Sequence, residues 1–489
     1  MSAPGDKAKE VIWTDSPTPR LEGTVILLLC MMVAWLFVPE SDPYSVANHY
    51  AKWVLGGLGL AILFELNTMG FSRLIRVDWV CLVIFYALSY LEFLFSQPEL
   101  NRVSTVERTS MACGLFNLGF VTIAISRHFV TSRKVRYIPA HQAFINYKIL
   151  VGAFWAAFAI GFFHIFIAVD FSISRAIDAM MGARFSQPWG RGRLGDWKAL
   201  LVELGLFVYL IPPIFGALLA LRKKVPLIHL LTTAPVFLFT IFYGFSSGTR
   251  NIFGTYMITF IVAYLINQTK IRWAPMSVFI GICLFVTAWG SYHMLEFRNI
   301  GLKRYIKGEY YQSEKNRETL FVDFNLHYLG VLAEAFPERH DFLGTEVPVW
   351  ALVKPIPRAV WAGKPEGLSV SIEEATGVEQ MSVATTWVGE SYMAFGLVGV
   401  VGTGVLIGIV CGLWNRRGSQ YEIPLKKIIF ASGFFAAALS MRSTFWFTTA
   451  ILPTVAMISG YFVYRNFFTG SPGAKRVRRS RSFTLPSDS

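Results

Sequence analysis

Trp387–Leu413 reads WVGESYMAFGLVGVVGTGVLIGIVCGL, and after Glu390 no charged residue occurs until Arg416. A continuous apolar run of this length suits a helix crossing roughly 30 Å of hydrocarbon. It lacks the strict alternation that a strand of a transmembrane barrel requires. Runs of the same kind recur at Val25–Val38, Trp53–Leu66, Val80–Phe95, Met111–Ser126, Ile149–Val169, Ala199–Ala220, Leu227–Phe245, Ile252–Ile266, Pro275–Tyr292, Ile428–Ser440 and Thr448–Val463. Together they predict an all-α polytopic membrane protein with about twelve transmembrane helices. Composition agrees. The 489 residues are 54% hydrophobic and only 16% charged, where soluble proteins carry roughly a quarter charged residues.

The net charge of +14 would suit a nucleic-acid partner if the Lys and Arg formed one patch, but they sit between the apolar runs. Alternate connections are basic: Arg73 and Arg76; Arg127, Arg133, Lys134 and Arg136; Arg222, Lys223 and Lys224; Lys270 and Arg272; Arg416, Arg417, Lys426 and Lys427. Positive charge flanking spans marks the cytoplasmic side, so both termini are expected there and no nucleic acid is expected as a partner. The resulting organisation is a cytoplasmic tail over residues 1–22 and a bundle of about nine spans over 23–293, with an outer loop at 170–198. A large outer loop follows at 294–387 (periplasmic if the membrane is a bacterial inner membrane), then spans ten to twelve at 388–465 and a basic cytoplasmic tail at 466–489. The polar N-terminus lacks the short apolar core of a cleavable signal.

All five cysteines lie inside apolar runs, which predicts no structural disulfide and no cysteine-based metal site. The phosphate-binding G-x-x-x-x-G-K-[ST] loop and H-E-x-x-H are absent. Chemistry on the outer face therefore calls for a substrate that is already activated.

Arginine recurs on that face. Arg191 and Arg193 lie in SQPWGRGRLGDW with Arg184 on its flank, Arg250 lies in SSGTRN ahead of the eighth span, Arg298 in EFRNIG, Arg358 in the large loop and Arg442 in SMRSTFW. Singly, each reads as a long side chain lifting its charge out of lipid. As a set they suit an anion, because a planar guanidinium binds phosphate oxygens bidentately. At Arg250 a helix N-terminus adds backbone donors and a favourable dipole. In IPRAVWAGKPEG (Ile356–Gly367), prolines restrict the backbone around Arg358, Trp361 and Lys364. If that segment is a helical turn, the three side chains face one way. Two cations flanking an indole suit a phosphorylated sugar; a loop packed by its Trp is the plainer reading. Upstream, TLFVDFNLHYLGVLAEAF has helical period, with Leu320, Phe321, Phe324, Tyr328, Val331 and Leu332 on its apolar face and Asp323, His327 and Glu334 opposite.

FLGTEVPVWALVKPIPRAVWAGKP, followed by GESYMAFGLVGV at Gly389–Val400 and preceded by Gly248, Thr249 and Arg250, resembles oligosaccharide repeat-unit polymerases of the O-antigen (Wzy) type. In motif terms the resemblance covers roughly Gly244–Gly412; the amino-terminal spans match in hydropathy and topology only. It implies a metal-independent, cofactor-free membrane glycosyltransferase of the C-type superfamily. Its substrates would be undecaprenyl-diphosphate-linked oligosaccharides at the periplasmic face of a bacterial inner membrane. Membrane lipid would surround it, with a flippase and a chain-length regulator as possible partners. Arg250, Arg298, Arg358 and Arg442 would stabilise charge on the leaving diphosphate, with Arg184, Arg193, Trp361 and Lys364 as further contacts to diphosphate or glycan. Glu390, His327 and Asp323 are the candidates for removing the proton of the acceptor hydroxyl; the plainer reading of Glu390 is a cap on the tenth span, and of Asp323 and His327 a solvated helix face. An O-antigen ligase-type transferase shares this donor logic, and a transporter for the lipid-linked repeat is the third reading.

Overall fold

The computed structural model describes residues 13–15, 17–132, 134–136, 147–183, 186–189, 197–268, 273–309, 324–356, 360–365, 367–377, 384–418 and 424–468. Apart from a short antiparallel pair, Trp13–Asp15 with Lys134–Arg136, the regular structure there is helical. The first four principal helices are α1 (Leu21–Leu36), α2 (Pro43–Met69), α3 (Val77–Ser89) and α4 (Val106–Ser126). Next come α5 (Tyr147–Ala168), α6 (Leu201–Ala220), α7 (Leu227–Ser246), α8 (Arg250–Asn267) and α9 (Trp273–Phe297). After the long connection follow α10 (Asn325–Ala335), α11 (Glu346–Val353), α12 (Thr386–Gly418), α13 (Pro424–Arg442), α14 (Thr444–Ala450) and α15 (Leu452–Val463).

Among the described residues, eight helices are long and apolar enough to cross a membrane. The chain is thus a polytopic membrane protein, and every apolar run read from the sequence falls on helix. The ends differ in places. Val80–Phe95 is α-helical only to Ser89, after which Leu91–Leu94 forms a 3-10 turn. The buried Tyr90 marks the break, its hydroxyl donating to Cys113 O and Asn117 Oδ1 on α4, each at 3.1 Å. Thr448–Val463 is divided between α14 and α15 at Ile451, with Pro453 in the first turn of α15, where a missing N–H is harmless.

Local signals account for several boundaries. Asp42 caps α2 by accepting from Ser45 N at 3.0 Å, and Thr105 caps α4 by accepting from Arg108 N at 3.2 Å. Within α12, Phe395 and Gly396 leave helical geometry, Gly396 with φ of 59° and ψ of −141°. That conformation requires glycine, and it sets the segment bearing Glu390 at an angle to the rest of the helix.

Two apolar cores organise the bundle. The first unites α1–α4 with α10–α12 and contains the fully buried Phe85, Phe116, Phe120 and Trp387. The second unites α5–α9. Helix α13 joins them, giving Phe430 and Phe434 to the first and Ile428 and Ile429 to the second. Lipid is as apolar as these side chains, so close packing rather than water exclusion must hold the helices together. Gly404, Gly408 and Gly412 supply it on α12. A Cβ at Gly408 would lie 2.0 Å from Ser126 Oγ and 2.8 Å from Arg127 N, and Ser126 Oγ donates to Gly404 O at 3.3 Å.

At the end of the bundle where α3 begins, two acids and two arginines are wholly buried. Arg76 pairs with Glu65 at 2.7 Å and with both oxygens of Asp78 at 3.0 and 3.1 Å. Arg127 reaches Asp78 at 2.9 Å and Thr24 Oγ1 at 2.7 Å, and its guanidinium lies 4.7 Å from the Trp79 ring centroid. Asn415 donates to Asp78 at 2.5 Å and accepts from Val77 N at 2.8 Å. Glu65 also accepts from Trp79 Nε1 and Arg20 N, each at 3.1 Å. Arg76 and Arg127, expected as solvated topology signals, are therefore interior residues, because two carboxylates enter the core beside them. Apart from Arg76–Trp79 and the pair Arg20 and Thr24, the members lie far from one another in the chain.

The face expected on α10 also shifts. Leu326, Leu329, Leu332 and Ala333 are buried against the bundle, whereas Phe324, Tyr328 and Val331 are half-buried. Helix α10 packs on α4 and α12, so its inward face is set by those helices rather than by a membrane surface.

Two substitutions probe this frame. Asp78→Ala leaves two arginines without their shared partner, and a cost of about 3–5 kcal/mol is expected from breaking a buried ion pair on one side. Gly408→Val is expected to cost about 1–3 kcal/mol through overpacking. Both would lower the unfolding midpoint in mild detergent, measured by circular dichroism.

Candidate functional site

Opposite the buried ion cluster lies the end of the bundle that carries Arg442. Helices α8 and α13 pack side by side in opposite chain directions, registered where Lys427 Nζ donates to Ile266 O at 2.9 Å. From that contact Arg250 is sixteen residues along α8 and Arg442 fifteen along α13, or about 24 and 22 Å at 1.5 Å per residue. The two arginines therefore share a level. Arg298 joins Arg250 through Gly248, whose φ of +62° folds the turn so that a Cβ there would stand 3.3 Å from Arg298 Cα. Arg250 is the first residue of α8, with Thr249 as its N-cap residue. Beside it, Asn251 Nδ2 is buried with no protein partner.

Glu390 is almost wholly buried in the first turns of α12. Its carboxylate accepts from the Ser443 hydroxyl, from Thr444 N at 2.6 Å and from the Thr444 hydroxyl at 2.5 Å. The cap thus serves the N-terminus of α14, not its own helix. This fastens the residue after Arg442 to α12 and sets where that arginine leaves α13. A carboxylate that accepts three hydrogen bonds holds the groups that donate them in place.

The proline-rich knot docks against this corner. Thr448 Oγ1 on α14 donates to Ala351 O on α11 at 2.5 Å. Lys354, one residue past α11, places Nζ 4.3 Å from the Trp446 ring centroid and 5.7 Å from that of Phe445. Such a contact with an aromatic face suits an ammonium. Lys364 Nζ donates to Lys354 O at 2.6 Å and Ile356 O at 3.0 Å, closing the knot behind the C-terminus of α11. Two of its three donor positions are thereby committed to carbonyls. Residues 360–365 are an irregular turn in which Lys364 N donates to Trp361 O at 3.2 Å, so over these residues the condition of a helical turn is not met. Trp361 is 41% exposed, which the loop-packing alternative does not explain.

An apolar cavity of about 530 Å³ lies below this corner. Helix α12 forms one wall from Val398 to Trp414, sixteen residues apart and so about 24 Å long. Opposite stand Gly433, Ala436 and Ala437 of α13, with Val77 and Cys81 of α3 at the ion-cluster end. At the Arg442 end the wall turns polar through Ser440, Thr444 and Thr448. Val398 is 77% and Leu406 61% exposed, so the cavity is a groove open along its side to the surrounding medium.

His327 stands apart from that corner. It lies on α10 with Nδ1 buried and unpartnered, near the Arg108–Glu334 pair, whose two hydrogen bonds are each 2.8 Å. Desolvation, then the Arg108 charge, holds its pKa below the usual histidine value of 6.5, so the ring is neutral near pH 7. The ion pair makes the expected solvated stripe of α10 a docking face on α4. Asp323, Arg184, Arg193 and Arg358 lie outside the described residues.

Two features escape the sequence reading. Lys354 is the cation nearest the knot and is hidden within the VKPIP motif. His293 Nδ1 lies 2.7 Å from Tyr305 Oη and 3.1 Å from Glu296 Oε2, and the Tyr305 hydroxyl donates to Glu296. A His and Glu three apart at the end of α9 was the available signal, but Tyr305 arrives only through the turn at Gly301. Among the described residues, no group of three His, Cys, Asp or Glu side chains is placed to hold a metal ion.

Comparison with protein-family profiles, curated proteins and solved structures returned no match.

Glu390→Ala is expected to lower the unfolding midpoint by the equivalent of about 1–3 kcal/mol, the desolvation cost of buried donors left unpaired. Glu390→Gln keeps one acceptor oxygen and should lose less. Equal stability of both variants with the unsubstituted chain, in detergent melts, would contradict the capping role.

Proposed function

We propose that this chain is an integral-membrane glycosyltransferase that polymerises lipid-linked oligosaccharide repeat units. In this reading the donor and acceptor are undecaprenyl-diphosphate-linked glycans, and transfer occurs at the periplasmic face of a bacterial inner membrane. The product would be a surface polysaccharide. The observation that supports the proposal is an apolar groove about 24 Å long whose Arg442 end turns polar through Ser440, Thr444 and Thr448. A polyprenyl tail needs the groove, and a diphosphate needs the cations. The motif resemblance across Gly244–Gly412 points the same way.

In the proposed reaction the acceptor hydroxyl attacks the anomeric carbon and the lipid diphosphate leaves. Charge grows on the diphosphate oxygens, where Arg250, Arg298, Arg358 and Arg442 would be most effective if they were held in place before the reaction. Glu390 would act mainly by fixing the Arg442–Thr444 turn, whereas the neutral His327 and Asp323 are the remaining candidates for proton acceptor. A general base must come within hydrogen-bond reach of the hydroxyl it serves.

The test is incubation of the purified protein with a synthetic lipid-diphosphate repeat unit, with the products resolved by chain length. A ladder is expected. Arg250→Ala and Arg358→Ala, singly, should abolish it and leave single-repeat products. Gly402→Phe should do the same by filling the groove without unfolding the chain, since a Cβ at Gly402 meets nothing within 4 Å. Normal ladders from both arginine variants would sink the assignment. Transfer of preformed chains to a different acceptor, with no lengthening on the carrier, would indicate a ligase-type transferase instead.

A further inference from the structure

Cys81 on α3 and Cys411 on α12 are 330 positions apart in the chain, yet their sulfurs lie 3.5 Å from each other. Both residues are buried, and both line the Asp78 end of the groove. Cys30, Cys113 and Cys283 sit on α1, α4 and α9, and all five cysteines are free thiols. A disulfide needs sulfurs about 2 Å apart, so the pair would close by an approach of about 1.5 Å, which side-chain rotation and slight helix movement can supply.

We propose that Cys81 and Cys411 are a reversible dithiol/disulfide site whose oxidant is a lipid-soluble quinone. The location selects the oxidant. The thiols face a groove walled mainly by carbon and open to the membrane along α12, where Val398 and Leu406 are exposed. A charged peptide thiol or a folded oxidoreductase is poorly suited to an apolar groove of this kind, whereas an apolar quinone partitions into lipid and can approach from the membrane. The step balances. The two thiols lose two protons and two electrons as the S–S bond forms, and the quinone takes up both to become the hydroquinone. Reduction by a lipid-soluble hydroquinone or by an added dithiol reverses it.

The bridge would join α12 covalently to α3 one turn from Asn415, where the two helices are already hydrogen-bonded through Asp78 and Val77. It would fix the width of the groove at that end. Its regulatory meaning rests on the proposed use of the groove, but the redox chemistry itself does not.

The experiment uses the full-length protein in lipid nanodiscs, reduced under anaerobic conditions and then exposed to duroquinone. This quinone has no free ring position for thiol addition. After unfolding and alkylation with N-ethylmaleimide, intact mass counts the free thiols. The unsubstituted chain is expected to lose two of its five alkylations, with one hydroquinone formed per chain and a cross-linked peptide pair containing Cys81 and Cys411. Cys81→Ser and Cys411→Ser should each keep all of their remaining thiols, and Cys283→Ser should still lose two. Five alkylations after quinone treatment would overturn the proposal, as would a bridge that persists in Cys81→Ser. Closure by diamide but not by duroquinone would overturn the choice of oxidant.

Discussion

Four buried charges hold one end of this protein together. Glu65, Arg76, Asp78 and Arg127 balance in sign and satisfy one another with short, charge-assisted bonds. They join the end of α2, the start of α3 and the end of α4, and Asn415 brings in α12. Isolated charges would be intolerable at this depth, so each member commits the others to their places. The arrangement specifies one way of assembling helices whose lipid-facing surfaces are otherwise interchangeable. Removing it would leave the glycine seam between α4 and α12 without its registration.

The distant end inherits its geometry from that anchor. Helix α12 runs from Asn415 along the Gly412–Gly408–Gly404 seam to the kink at Gly396, and beyond the kink Glu390 grips the start of α14. The position of α14 in turn sets Trp446 and Thr448, against which Lys354 and α11 dock. The groove is what remains between α12 and α13 when one face of α12 packs on α4 and the other carries Gly402 and Thr403. Close approach on one face and open space on the other come from the same helix, with glycines serving opposite purposes two residues apart.

The arginines on the functional side gain meaning only from this frame. Arg250 and Arg298 lie together because Gly248 lets one backbone rest on the other, and Arg442 reaches their level because α8 and α13 pack antiparallel from the Lys427–Ile266 contact. Under the proposed function, arginines at this end of the bundle and the apolar groove would together receive an anionic lipid. The neighbouring Glu390 is bound by three donors and so fixes the turn that follows Arg442.

Much of this was written in the chain itself. Long uncharged runs determine a helical membrane protein because no other structure satisfies the backbone in lipid, and caps such as Asp42 and Thr105 set helix starts through local hydrogen bonds. The proline knot and the Gly-Thr-Arg turn were also visible as unusual local chemistry. Other features depended on residues far apart in sequence. Arg76 and Arg127 looked like solvated topology markers because nothing local reveals that Glu65 and Asp78 will meet them. Lys364 looked like a ligand contact because the carbonyls it binds are exposed only when α11 ends where it does. The inward face of α10 was misjudged, since α4 and α12 decide which of its apolar residues are covered. Sequence periodicity and composition determine which segments are helices in lipid; which charges pair, which glycines touch and where the groove opens follow only from how those helices pack.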